Sequence, residues 1–220
     1  MRTFIIVAVI IVLCLFFTTH VKSSTSNFVK SSFDNNYYEV VDPYPTVSGG
    51  SSKEDAADTL AKINSFIIKL VEHMKDEYID SKIRSSDSIK NIDAKIITQR
   101  LIDRYMGSEA ISEHRPVDLS ETSYALNKEY IRFCLRDPSN NDELHNLPIL
   151  KFVALHELSH FAIPSYDHPE EFWITFKFLL QESNKAGLHI PEDYAKKPQS
   201  YCGLTIAYNP FYDDTLIVDH

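Results

Sequence analysis

Residues 149–173 run ILKFVALHELSHFAIPSYDHPEEFW. Neither glycine nor proline interrupts 149–163, and Phe152-Val153-Ala154-Leu155 give the stretch an apolar face, so it predicts a buried helix that Pro164 stops. His156 and His160 are four residues apart. On a helix such positions share one face, one turn apart, so two imidazoles can point at a single ion. Zinc favours neutral nitrogen ligands in tetrahedral geometry, and catalytic sites keep three protein ligands plus a water. Glu157, beside the first histidine, is placed to contact a zinc-bound water and to act as general base. His168 follows a turn of Ser165-Tyr166-Asp167 and is the expected third ligand. Asp167, Glu170, Glu171 and Glu182 remain rivals, since carboxylates also bind zinc. Tyr166, Tyr194, Tyr201, Tyr208 and His189 are candidates for stabilising an oxyanion. His73, His114, His145, His189 and His220 are isolated and read as packed or solvated, while His20 adjoins the N-terminal apolar run.

Outward from this core, a further helix is expected from Pro169 to about Lys185, ended by Gly187. Upstream, Tyr130–Arg136 is rich in aromatic and β-branched residues and predicts a strand. A loop covers 107–121. Ser52 with Asp55 forms a capping box. Leu60, Ile63, Ile67, Leu70, Val71, Met74 and Tyr78 then recur at helical steps. A second helix is expected over about 88–106, with Ile89, Ile92, Ile96 and Tyr105 on one side. The tail, 188–220, reads as mostly irregular with short extended pieces.

The N-terminus has a different character. Phe4–Phe17 holds fourteen apolar residues without a break, between Arg2 and Lys22. Thr3–Val21 just reaches the length of a membrane-spanning helix. Residues 1–21 therefore predict a single-pass anchor, with a cleaved signal and secretion as the alternative. Residues 22–51, with Ser, Asn, Pro43, Pro45 and Gly49-Gly50, read as a flexible linker in which Tyr37-Tyr38-Glu39-Val40-Val41 can form a short strand or dock on the domain, and 52–220 as the folded domain. Past residue 22 the chain carries 20 bases against 31 acids, a surface that repels a phosphate backbone, so nucleic acid is not an expected partner. Walker and dinucleotide glycine patterns are absent. Cys134 and Cys202 read as two buried thiols, with one bridge open to them in an oxidising compartment.

His-Glu-Leu-Ser-His, a short turn, and then His168-Pro169-Glu170-Glu171-Phe172-Trp173 resemble the core of WLM and SprT-like metalloproteases, over roughly residues 120–185. The resemblance implies a proteolytic zinc enzyme with His156, His160 and His168 as ligands and Glu157 as base. It puts Phe172 and Trp173 at the start of a helix that backs the site, with Trp173 packing under the third ligand. It also puts Tyr130–Arg136 where minimal zincins carry the edge strand that takes an extended substrate. Two departures stand out: Pro164 and Ser165 occupy the place of a loop glycine, and the chain is acidic rather than basic. A membrane-anchored member, of a kind found in large DNA viruses of eukaryotes, is the nearer comparison.

The expected fold is thus α+β: a mainly helical, minimal zincin-like domain with a small sheet, preceded by a transmembrane helix. The expected activity is zinc-dependent hydrolysis of peptide bonds in a protein or peptide substrate. The alternative is a non-catalytic membrane- or virion-associated interaction protein that keeps the fold.

Overall fold

The computed structural model describes residues 27–43, 50–81, 92–116, 122–137 and 139–219. Four α-helices and four small sheets make up these parts. Helix α1 (Lys53–Lys75) begins at the expected cap: Asp55 N–H donates to Ser52 Oγ at 3.0 Å, and Ser52 N–H to the Asp55 carboxylate at 3.0 Å. Leu60, Ile63, Ile67, Leu70 and Met74 fall on one side and are fully buried. Each such side chain stabilises the fold by about 1.5–3 kcal/mol on leaving water. The helix ends in a π-helical turn, Asp76–Asp80. Helix α2 (Ala94–Arg104) is capped by Asp93, which accepts from Ile96 N–H at 3.0 Å. It starts later than expected, and its inward face is Ala94, Ile97, Thr98 and Leu101, with Ile96 left 46% exposed.

Helix α3 (Leu147–Ala162) carries the His-Glu-Leu-Ser-His motif. Asn146 caps it by accepting from Ile149 N–H at 3.1 Å. Its last residue gives way to Ile163 at φ −103°, ψ 159°, the extended conformation that a following proline imposes. Helix α4 (Glu170–Lys185) opens after Pro169 with two acids in its first turn, which suits the positive end of the helix dipole. Gly187 follows its end at φ 69°. Helix α3 packs against α1, α2 and α4, so apolar residues all round it are buried.

Two strands, β1 (Asn27–Lys30) and β2 (Tyr37–Val40), form an antiparallel hairpin. Strands β3 (Ile111–His114), β4 (Tyr124–Leu126) and β5 (Tyr130–Cys134) form a sheet in the order β3-β5-β4. In it β5 runs parallel to β3 and antiparallel to β4. The pairs β6 (Arg136–Asp137) with β7 (Glu143–Leu144), and β8 (Gln199–Tyr201) with β9 (Leu204–Ile206), complete the strands.

Several expectations are corrected. Among the described residues no helix is long and apolar enough to cross a membrane. The transmembrane part of the expected fold and the single-pass membrane localisation therefore do not stand; the stretch 1–21 on which they rested lies outside the described residues. Residues 27–43 are not a flexible linker. Asp58 on α1 accepts from Ser31 Oγ, Ser32 N–H and Ser32 Oγ at 2.6–2.7 Å. Tyr38 is fully buried, its hydroxyl donating to Asp34 at 2.6 Å and accepting from Asn64 at 3.1 Å. The segment is polar because side chains, more than apolar burial, fasten it to α1.

Strand β5 is the middle of its sheet rather than the edge: Ile131 and Phe133 are fully buried, and β4 takes the outer place. Cys134 and Cys202 are joined in a disulfide with their Cα atoms 6.4 Å apart, not left as thiols. It ties the end of β5 to the turn between β8 and β9.

Candidate metal centre

The helix phase of α3 puts His156 and His160 on one side, and the turn 163–169 brings His168 back over them. One nitrogen from each ring can be chosen so that all three lie within 4.8 Å of one another. His156 Nε2 and His168 Nε2 are 3.2 Å apart. Ligand nitrogens on a tetrahedral ion bound at ~2.0–2.1 Å stand about 3.3 Å apart, so this pair already has the spacing that an ion needs. The donor set fits a metal ion, and His168 is the third member. None of Asp167, Glu170, Glu171 and Glu182 joins the group among the described residues. Glu182 instead faces His73, whose Nε2 lies 3.0 Å from the carboxylate.

Electrostatics keep the imidazoles neutral. Burial pushes His156 down to about 3, with His160 and His168 adding to the effect. Burial also takes His160 to about 4, helped by the positive charges it would meet on His168 and Lys128. His168 is lowered by burial and partly restored by Asp167. Neutral rings offer free lone pairs, which metal binding requires.

Phe172 lies beneath the cluster. It is fully buried, and its ring centre is 4.9 Å from that of His156, 4.6 Å from His160 and 4.4 Å from His168. Trp173 flanks His168 at 5.8 Å and packs on Tyr208 at 5.6 Å. The ring under the third histidine is therefore Phe172, and Trp173 stands beside it.

Glu157 is 3% exposed. Burial raises its carboxyl to about 8, and the backbone N–H of Ala125 on β4 opposes the shift by favouring the charged form. A dication beside it acts in the same direction as that N–H. Glu157 and the three histidines open onto a cleft of about 250 Å³, walled by β4 and by the turn at Ser165 and Tyr166. Ser123 and Tyr201 brace that wall. Tyr201 is buried with its hydroxyl 2.6 Å from Ser123 Oγ, and Ser123 Oγ accepts from Cys134 N–H at 2.8 Å.

Of the oxyanion candidates, Tyr166 lines the cleft and is 77% exposed. Tyr201 is on the wall behind Ser123. Tyr194 packs on Phe152, Tyr208 on Trp173 and His189 on Phe66, away from the cleft. His73 pairs with Glu182, His145 accepts from Cys202 N–H, His189 packs on Phe66, His114 meets Tyr124 edge-on, and His20 and His220 lie outside the described residues.

Sequence reasoning missed β4 and Lys128, which also lines the cleft. The available signal was a hairpin: three residues, Asn127-Lys128-Glu129, between runs with apolar and aromatic positions.

No protein-family model matches the chain, and no solved structure matches it. Uncharacterized protein R325 of Acanthamoeba polyphaga mimivirus is 31% identical to it over 211 residues, which cover 94% of this chain and 97% of that protein. At that identity and near-complete mutual coverage, the chain belongs to one family with the mimivirus protein.

Proposed function

We propose that this chain is a zinc-dependent metallopeptidase of the HExxH type, akin to the WLM and SprT-like proteases that its motif resembles. The observation that carries the reading is the convergence of His156, His160 and His168 beside a buried Glu157, next to β4, which is the outermost strand of its sheet among the described residues. A zinc ion held by the three imidazoles would supply Lewis acidity, activating water and polarising a carbonyl.

The chain's own residues do the rest. Phe172 and helix α3 fix two ligand rings, and the turn 163–169 supplies the third. Glu157 takes a proton from the attacking water at its carboxylate and returns it to the leaving amine. Burial raises its carboxyl while a dication beside it would lower it again, and these opposing effects suit a group that must both accept and release a proton. Strand β4 offers an extended peptide a partner along the cleft, in the place first expected for Tyr130–Arg136. Tyr166 stands at the rim, where its hydroxyl can meet a developing oxyanion.

The test is metal content and cleavage of a denatured protein mixture by the full chain, wild type against Glu157→Gln. The expected result is one zinc in each and chelator-sensitive cleavage in the wild type. The variant should lose activity by about 10²–10⁴-fold. Zinc without cleavage in the wild type would favour a non-enzymatic interaction module, and equal cleavage by the variant would reject the assigned base.

A further inference from the structure

The tip of the β4–β5 hairpin carries a lysine in a conformation that lysine disfavours. Asn127 and Lys128 both have positive φ, 54° and 59°. Glu129 N–H donates to Leu126 C=O at 3.1 Å, so the pair occupies the centre of a tight turn of the I′ kind within the three-residue loop 127–129. Glycine is the residue favoured at the second central position, because a side chain there crowds its own backbone.

The far end of the side chain explains why a lysine is there. Lys128 Nζ donates to Ile163 C=O at 2.7 Å and to Ser165 C=O at 2.6 Å. It also sits 4.6 Å from the centre of the Tyr166 ring. Those two carbonyls flank Pro164, in the turn that joins the His160 end of α3 to His168. Two other cations approach the same helix end: Arg104 donates to Phe161 C=O and Arg100 to Ala162 C=O, the latter at 2.7 Å. Both stop at the last turn of the helix. Lys128 reaches past the proline, from a hairpin whose own Ala125 N–H faces Glu157.

We propose that Lys128 is a positioning residue for the metal: by holding the carbonyls of Ile163 and Ser165 it delivers His168 to His156 and His160. The inference rests on the reading of those three histidines as a zinc site. Groups that orient ligands without touching the ion commonly alter metal affinity by about 10–100-fold. A strained residue kept at such a place is the pattern expected when strain serves a site.

The test is zinc affinity of the full chain, measured by competition with a chromophoric chelator. Variants are Lys128→Met, Lys128→Gly, Lys128→Arg, His168→Ala and His168→Ala with Lys128→Met. Lys128→Met and Lys128→Gly should each weaken the Kd by about tenfold or more, while Lys128→Arg, which keeps a cation with two donors, stays within about threefold. Lys128→Gly should unfold in urea at a higher midpoint than Lys128→Met, because it loses the same contacts but relieves the backbone. In the His168→Ala background, adding Lys128→Met should change the Kd by less than about twofold, since two residues acting through one contact are not additive.

The proposal is overturned if the wild type binds one zinc and the Met and Gly variants match it. It is also overturned if Lys128→Met weakens binding as much without His168 as with it. A wild type that holds no zinc at all would bring down the metal reading and this proposal together.

Discussion

The ring of Phe172 meets the ring of His168 edge-on, 4.4 Å between centres and 83° between planes. The same ring touches His156 and His160, so one buried side chain supports all three imidazoles. Phe172→Ala should remove that support and leave a cavity, costing about 3–5 kcal/mol of stability. Zinc affinity should fall with it, whereas Phe172→Leu should retain most of both. Urea unfolding with and without zinc checks this; an Ala variant with unchanged zinc affinity would show that the ligands hold themselves.

The metal-free protein should have a stability maximum near pH 6.5. His156 and His160 are held at about 3 and about 4 in the folded state, below an unfolded value near 6.5. The unfolded chain therefore binds more protons below pH 6.5, and stability is lost as pH falls from there toward 4 and 3, by ~1 kcal/mol per group per pH unit. Glu157 has the opposite sign. Its folded value is raised to about 8, so its contribution is full below about 4.5 and is lost as pH rises through 8. Urea midpoints across pH 5 to 9 on chelator-treated protein should show both limbs, and Glu157→Gln should flatten the alkaline one. An unchanged alkaline limb in that variant would mean that its carboxyl is not held neutral.

Arg136 and Glu113 form an ion pair at 2.8 Å in which both side chains are almost wholly buried. Arg136 also donates to the carbonyls of Ser51 and Ser52, at the entry to α1, and Glu113 accepts from Val41 N–H at 2.8 Å. Arg136→Met would strand the carboxylate, with an expected cost of about 3–5 kcal/mol. Glu113→Gln should cost less, because the guanidinium it leaves keeps the Ser51 and Ser52 carbonyls and gains an amide oxygen as acceptor, whereas the carboxylate left by Arg136→Met keeps only Val41 N–H. Chemical denaturation of the two variants gives the comparison, and equal losses would contradict it.

Much of the site was legible in the sequence because it is local. The i,i+4 histidines, the apolar run before them, Pro164 as a stop and Pro169 as a start lie within 25 residues, and short-range rules fix them. The same holds for the cap at Ser52 and Asp55. What escaped is non-local. Tyr37–Val41 reads as a short strand, but the rest of the hairpin at 27–40 looks like a linker because its order comes from Asp58 and Asn64 on another element. Which strand of a sheet is outermost depends on topology, so β5 and β4 were exchanged. The inward side of α2 is chosen by what packs on it, and Ile97 won over Ile96. Pairing of cysteines 68 residues apart has no local signature.

That last link has a topological outcome. The loop it closes contains helix α3, the turn that carries His168, helix α4 and, near its beginning, the exposed turn at residues 139–141. A protease that severs the backbone at this turn would produce two polypeptides still joined through sulfur. They would run as one band on a non-reducing gel and as two after thiol treatment. His156, His160 and His168 belong to the downstream piece, and Ala125 and Lys128 to the upstream one. One cross-link thus keeps opposite walls of the cleft on a single covalent body even after the main chain is cut.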